Sequence, residues 1–451
     1  LAASDVTVDA LFRQSGVIRT DTLEELFDVA SLLASQPPPK GRRVGIITNG
    51  GGPGILCADT CEAEGMEIPL LMDDTRAKLR AFLPPQASVG NPVDMIASAP
   101  AEHYREAIRA VAADPSVDAL IVIFVPPLVT RAEDVARAII EGVHELGSGK
   151  PVLTVFMSAR GVPDTLKTGE VRIPSYAFPE SAAIALARIS RYGEWRARPL
   201  GTLPRFGDLQ RDEAARVVAR ALARSDGWMS PEEVHALLVC YGLPVIDQSL
   251  ARTPAEAAKA AQAIEGEIAL KAVIPGVVHK TEFGGVRLQL HGPKEVQTAA
   301  KQMAAMLASK GHSPEAFLVQ KMAASGVEMI AGVVHDAQFG PVVACGAGGT
   351  LVELLRDVSV RLTPLTREDA AEMIRELKTY PLLTGFRGAP KADVAALEDV
   401  LLRIGMMVED LPQIAELDCN PIIVHEHGVD VVDARVRVVA FEPPSLFARR
   451  R

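Results

Sequence analysis

Apolar positions organise this chain into two differently built regions. From residue 41, short apolar runs alternate with stretches of helical period. "RRVGIIT" reads as a buried strand, and "NGGGPGILCADTCEAEG" as a glycine-rich turn opening a helix. "MEIPLL" predicts another strand. "VDALIVIFVPPLV" is a nearly continuous apolar run bounded by turns, as in a strand covered on both faces. "RAEDVARAIIEGVHEL" is amphipathic at helical spacing, "KPVLTVFM" predicts the next strand, and "IPSYAFPESAAIALARISRYGEW" a strand and a closing helix. Strand–helix alternation of this kind predicts an α/β unit, a doubly wound parallel sheet with helices on both faces.

"RARPLGTLPRFGDL" combines prolines and glycines with little periodicity and predicts a linker. Beyond it the pattern changes. "RDEAARVVARALAR" and "SPEEVHALLVCYG" predict helices, the second with Ser230 and Glu233 as a capping box and Pro231 in its first turn. A helix over 253–265, strands "EIALKAV" and "GGVRLQL", a helix over 293–309 and several strands from 316 predict an α+β region. At the other end, Val6, Val8, Leu11 and Phe12 recur at helical spacing after Asp5, a residue type that caps helices.

Composition narrows the class. At 451 residues, two or three domains are expected; 48% hydrophobic against 23% charged residues fits a folded α/β protein and argues against disorder. A net charge of −10 disfavours general attraction to nucleic acid or membrane surfaces, so an anionic ligand must be held by local donors. Five cysteines without paired metal spacing predict reduced thiols and a cytoplasmic setting. No apolar run approaches a membrane span.

Candidate chemistry clusters in the second region. Near the C-terminus, Glu416, Asp418 and Asn420 alternate with Leu417 and Cys419, so a strand would turn all three to one face. Pro421 cannot donate to a ladder, which predicts interrupted pairing there. "HEHG" then reads as a turn and "VDVVD" as the returning strand, carrying Asp433 back beside Asp418 and Asn420. These are hard oxygen ligands suited to Mg²⁺ shared with nucleotide phosphates. A solvated strand face explains the same row.

Upstream, Lys271 ends an apolar strand and leads through a Pro-Gly loop to His279, Lys280 and two glycines. Lysines suit phosphate oxygens as point charges, and a glycine loop lets backbone approach them. His279 suits phosphate handling and equally a hydrogen-bonded loop. Gln320, Lys321 and Met322 read as a strand edge able to hydrogen-bond an adenine, with Glu328 placed for ribose hydroxyls; a β-bulge and turn explain them as well. Gly346, Gly348 and Gly349 permit close backbone approach, and Glu353, Asp357 and Arg361 after them fit either a ligand or a structural salt-bridge network. "NGGGPG", Asn49 to Gly54, offers amides at a helix N-terminus to an anion, or is only a tight strand-to-helix turn.

Taken in order, the strand lysine, glycine loop, hinge strand and oxygen-rich hairpin are the parts of a nucleotide–Mg²⁺ clamp. Over nearly all its length the chain resembles the nucleoside-diphosphate-forming acyl-CoA synthetases, relatives of succinyl-CoA synthetase. The likeness is carried by "TNGGGPG", "GNPVDM", "PESAA", "LKAVIPGVVHKTEFGGV", "FGPVVACGAGGTLVELLRDVSVRLTPL" and "ELDCNP". It implies a flavodoxin-like ligase domain over 41–198, a linker over 199–211, an ATP-grasp domain over 212–440 and a tail over 441–451. Residues 1–40 would be the helical remainder of a preceding ligase domain.

The resemblance also implies roles. Lys271 would contact ATP phosphates, with Lys280, Gly348 and Gly349 also on the nucleotide's side. Gln320 to Met322 would form the adenine hinge and Glu328 would hold the ribose. Asn420 and Asp433 would bind Mg²⁺, with Asp418 a weaker candidate, and His279 would serve phosphate transfer. The implied reaction converts a carboxylic acid, CoA and ATP to acyl-CoA, ADP and phosphate through acyl-phosphate and phosphohistidine intermediates, in a protein that often dimerises. Family members carry a phosphorylated histidine in a His-Thr-Gly loop, and a CoA-binding domain, ahead of a stretch like "LAASD". This chain starts after both, so it is expected to be a fragment that binds nucleotide without completing acyl transfer. Two rivals are a ligand-sensing regulatory module of an acetyltransferase-type relative and, from the glycine turn alone, a dinucleotide oxidoreductase.

Overall fold

Uninterrupted apolar runs become the central strands of a parallel sheet in the unit spanning Phe12–Pro199, one of two into which the chain divides; the other comprises Leu1–Leu11 with Leu200–Arg451. The computed structural model describes residues 5–127, 130–146, 149–158, 161–168, 172–199, 201–224, 227–274, 284–336, 338–349 and 357–441, without the side chains of 167 and 168.

After α1 (Asp5–Ser15), the first unit carries α2 (Leu23–Ser35), β1 (Val44–Thr48), α3 (Gly51–Ala63), α4 (Asp73–Phe82), β2 (Val93–Asp94), α5 (Ala101–Ala112), β3 (Ala119–Phe124), α6 (Ala132–His144), β4 (Val152–Phe156), α7 (Thr165–Thr168), β5 (Ser175–Tyr176) and α8 (Pro179–Ala197). The sheet order is β2-β1-β3-β4-β5, parallel throughout. Strands β1, β3 and β4 are buried at every residue, because helices cover both faces. Val29, Leu32, Cys57, Cys61 and Leu186 pack α2, α3 and α8 on one side, and Leu79, Tyr104, Ile108 and Ile139 pack α4, α5 and α6 on the other. "MEIPLL" does not form the expected strand. Only Glu67 bridges, to Arg43, and the sheet edge is completed by Val93 and Asp94 instead. Asn91 explains the substitution: its amide accepts from Ile46 N (2.9 Å) and donates to the carbonyls of Val44 (2.8 Å) and Pro69 (3.0 Å). One side chain thus holds β1 and the "MEIPLL" segment together without a ladder.

The second unit begins with α9 (Arg211–Leu222) and α10 (Pro231–Cys240), whose Ser230–Glu233 capping box is formed as the sequence predicts. A four-stranded antiparallel sheet, ordered β6-β9-β7-β8, follows from β6 (Gln248–Ala251), α11 (Pro254–Ala261), β7 (Glu267–Val273), β8 (Val286–His291), α12 (Gly292–Ser309) and β9 (Ala316–Lys321). A six-stranded antiparallel sheet is built from β10 (Val327–Asp336), β11 (Gly340–Ala347), β12 (Val358–Leu362), β13 (Ile414–His425), β14 (Gly428–Val431) and β15 (Ala434–Val438). Helices α13 (Arg367–Arg375), α14 (Tyr380–Leu383) and α15 (Val394–Asp410) lie between β12 and β13 in the chain. Met373, Leu397, Leu401, Ile404 and Val408 pack α13 and α15 with Val343, Cys345, Leu417 and Cys419 of that sheet. All five cysteines are buried free thiols, and burial pushes Cys345 up to about 12, leaving it unreactive near neutrality. Among the described residues, no helix is long and apolar enough to cross a membrane.

Candidate nucleotide and metal site

Strand alternation places the site. Along β7, Ile268, Leu270 and Ala272 point to the helices α11 and α12, in one core with Phe317 and Val319 of β9. The intervening residues, Ala269 and Lys271 on β7 with Leu318 and Gln320 on β9, therefore face the other way. Lys271 is the fifth of seven strand residues, so it does not end the strand as expected. It is only 6% exposed, and Gln320 1%. Burying an ammonium and an amide demands partners. Both find one in the main chain of Val432, between β14 and β15 of the other sheet. Lys271 Nζ donates to the Val432 carbonyl at 3.2 Å and lies 3.9 Å from Asp433 Oδ2. Gln320 Nε2 donates to the same carbonyl at 3.2 Å and to Gln248 Oε1 at 2.7 Å. Gln320 Oε1 is buried with no hydrogen-bond partner among the described residues.

The Val432 carbonyl is available because the returning strand is broken. β13 pairs β15 as far as Cys419 with Ala434, then pairs β14 from Ile422 with Val431. "VDVVD" is thus not one strand. Between the two ladders, Asn420 N donates to Asp433 O (2.9 Å) and Val432 N to Pro421 O (3.1 Å). Pro421, which has no N–H, sits at the interruption, as its chemistry requires.

The oxygen row divides by register. Glu416 pairs with Arg437, Nε to Oε1 at 2.9 Å, and is structural. Asp418 stands opposite Arg435, and Asn420 beside Asp433. Desolvation pushes the Asp418 carboxyl up, Arg435 opposes this, and Asp433 adds to the rise. The donor set suits a hard cation: a carboxylate at Asp433, an amide at Asn420 and a second carboxylate next door. Among the described residues, no three His, Cys, Asp or Glu side chains cluster closely enough to hold a metal unaided.

The structure departs from the sequence reading at the hinge. Gln320 is not at a sheet edge: β9 is flanked by β6 and β7, with Gln320 in register with Gln248 and Ala269. Lys321 N donates to Asp247 O (3.2 Å) and Met322 N to Glu267 O (2.9 Å), so neither amide is spare for a base. The inward-facing Gln320 side chain, which sequence reasoning missed, carries the free acceptor. Its alternation with Phe317 and Val319 could have revealed it.

Glu328, on β10 opposite Ile423, accepts at its carbonyl from Gly348 N (2.7 Å). A Cβ at Gly348 would come within 2.8 Å of the Glu328 main chain, and one at Gly349 within 2.6 Å of Glu328 Oε2. These glycines therefore have a reason inside the protein, seating Glu328. Asp357 and Arg361 form the structural network. Asp357 accepts from Lys378 N (2.9 Å), Thr379 N (2.8 Å) and Thr379 Oγ1 (2.6 Å), and Arg361 binds Glu376 at 2.9 Å. His279, Lys280 and Glu353 lie outside the described residues. In the first unit, Asn49 of "NGGGPG" clips β1 to the end of β3 through both ends of its amide, each 2.8 Å from Val125, which favours the tight-turn reading of that residue.

Comparison with known proteins defines the class. A model described as an ATP-grasp domain matches residues 220–438, and one described as a Ligase-CoA domain matches 44–199. The chain is 36% identical to acetate–CoA ligase (ADP-forming) I of Archaeoglobus fulgidus, over 97% of this chain and 62% of that protein. It is 32% identical to 4-hydroxybutyrate–CoA ligase (ADP-forming) of Nitrosopumilus maritimus, over 97% of this chain and 63% of that one. Half of it covers 97% of the acetate–CoA ligase (ADP-forming) I subunit beta of Pyrococcus furiosus, at 37% identity. The chain belongs to the family of ADP-forming acyl-CoA ligases. It spans just under two thirds of the length of the first two relatives. All three are ligases, which does not favour the regulatory-module reading.

Proposed function

We propose that the second unit binds Mg·ATP or Mg·ADP in the cleft between its two sheets, and that the chain serves the interconversion of a carboxylic acid, CoA and ATP with acyl-CoA, ADP and phosphate. The observation that carries this reading is the convergence of Lys271 and Gln320 on Val432–Asp433, with the Gln320 Oε1 acceptor left over. A buried acceptor without a partner is costly unless a ligand donor meets it, and the exocyclic amine of adenine is such a donor. Lys271 would neutralise phosphate oxygens, and Glu328 would accept from ribose hydroxyls. Lys321, Met322, Gly348 and Gly349 would line the nucleotide's surroundings, the two residues of the hinge through their carbonyls.

Asn420 and Asp433 would hold Mg²⁺, with Asp418 a weaker candidate; the ion would supply charge neutralisation at the phosphates. The acid is expected to pass through an acyl phosphate, with His279 the candidate to carry a phosphoryl group to ADP and Lys280 beside it. Splitting the transfer this way replaces one difficult step with two in-line ones. Product analysis tests the proposal. With CoA and a panel of carboxylic acids, the whole protein should release ADP and phosphate from ATP, and strict release of AMP would contradict it.

A further inference from the structure

The carboxylate that would hold the metal already has a cation beside it. Lys271 Nζ lies 3.9 Å from Asp433 Oδ2 and donates to the adjoining Val432 carbonyl, on a side chain that is almost wholly buried. A divalent ion on Asp433 would sit within a few ångströms of that ammonium. Two cations so close, one of them on a buried side chain, repel each other. A nucleotide changes this balance. Its di- or triphosphate offers the lysine several anionic oxygens, and the flexible four-carbon stem lets the ammonium follow them. The carbonyl that Lys271 leaves is not orphaned, since Gln320 Nε2 also donates to it at 3.2 Å.

We infer that Lys271 is a placeholder cation on Asp433, so that the site accepts a divalent ion together with a nucleotide and discriminates against the free ion. This rests on the reading of the cleft as the nucleotide site. Lys271 then has two functions: it receives the phosphates, and before that it keeps the metal carboxylate from being occupied without them. Binding becomes an exchange of one cation for another rather than the filling of a bare anionic site.

The probe is Mn²⁺ alone, followed by electron paramagnetic resonance on the full chain without nucleotide. Lys271→Gln keeps a donor for Val432 but removes the charge, Lys271→Met removes both, and Lys271→Arg keeps the charge. The two neutral variants should bind free Mn²⁺ about tenfold more tightly than the parent or more, the scale on which one neighbouring charge shifts ion binding. Lys271→Arg should stay near the parent, and the gain should vanish when Asp433→Asn is added. No gain in either neutral variant, or a gain that survives Asp433→Asn, overturns the inference. The parent's uptake of Mn·ADP is measured alongside. If the parent takes up Mn·ADP and the neutral variants show no gain, only the placeholder role falls. If the parent takes up none, the nucleotide reading falls and the placeholder role with it.

Discussion

The two units use polar side chains of low exposure differently. In the parallel-sheet unit, Asn91 and Asn49 commit their amides to backbone groups of neighbouring strands. They stand in for ladder bonds that the chain does not make. In the second unit, Lys271 and Gln320 are buried, where Asn91 is half-buried, and both reach to one carbonyl, while the Gln320 Oε1 acceptor has no partner among the described residues. A leftover acceptor does not mark a site by itself, since the Tyr104 hydroxyl in the first unit is also buried without a partner among the described residues; under the proposed reading it is the convergence with Lys271 that a ligand would complete.

That contrast can be broken by substitution. Asn91→Ala should have the largest effect on stability. It strands the Ile46 amide and two carbonyls in or near the core, at about 3 kcal/mol or more for several unmet groups. Denaturant unfolding measures the loss, and nucleotide affinity of the folded protein should not change. Asp357→Ala, which frees the Lys378 and Thr379 amides, should cost about 1–3 kcal/mol by the same measurement. Asp357 also predicts a pH dependence. Burial would raise its carboxyl, but the Thr379 hydroxyl and the two amides outweigh burial and hold it below the ordinary aspartate value of 3.8. A folded-state value below the unfolded one stabilises the fold above 3.8 and loses that contribution as pH falls through the depressed value. Acid titration of unfolding should therefore be shallower in Asp357→Ala than in the parent. Gln320→Leu should act least on stability, since it removes donors from Val432 and Gln248 that face the cleft, but should weaken nucleotide binding about tenfold, or about 1.4 kcal/mol. Should Gln320→Leu instead leave affinity intact, the leftover acceptor has no ligand partner and the contrast between the units fails.

Much of this architecture was legible in the sequence, for identifiable reasons. Buried parallel strands need continuous apolar runs, so β1, β3 and β4 stood out. The Ser230–Glu233 box depends on near neighbours and is formed as expected, and "EIALKAV" is a strand, although Lys271 lies within it rather than at its end. What was not legible depends on residues distant in the chain. The "MEIPLL" segment has strand composition, but Asn91 supplies its connection. The row Glu416, Asp418 and Asn420 looks uniform, yet cross-strand register gives Glu416 to Arg437 and leaves Asn420 next to Asp433. The close approach of Gly348 and Gly349 to Glu328, some twenty residues away, is equally hidden in the sequence. Pro421 was the exception: a single residue without an N–H correctly signalled the break that exposes Val432.

Calorimetric titration with Mg·ATP of the parent, Asn420→Ala and Asp433→Ala tests the central claim most directly. Truncating a charged partner in such a site typically costs 2–5 kcal/mol, so Asp433→Ala should lose roughly thirtyfold or more in affinity, with Asn420→Ala weakened less. Parent-like affinity in both variants would contradict the account.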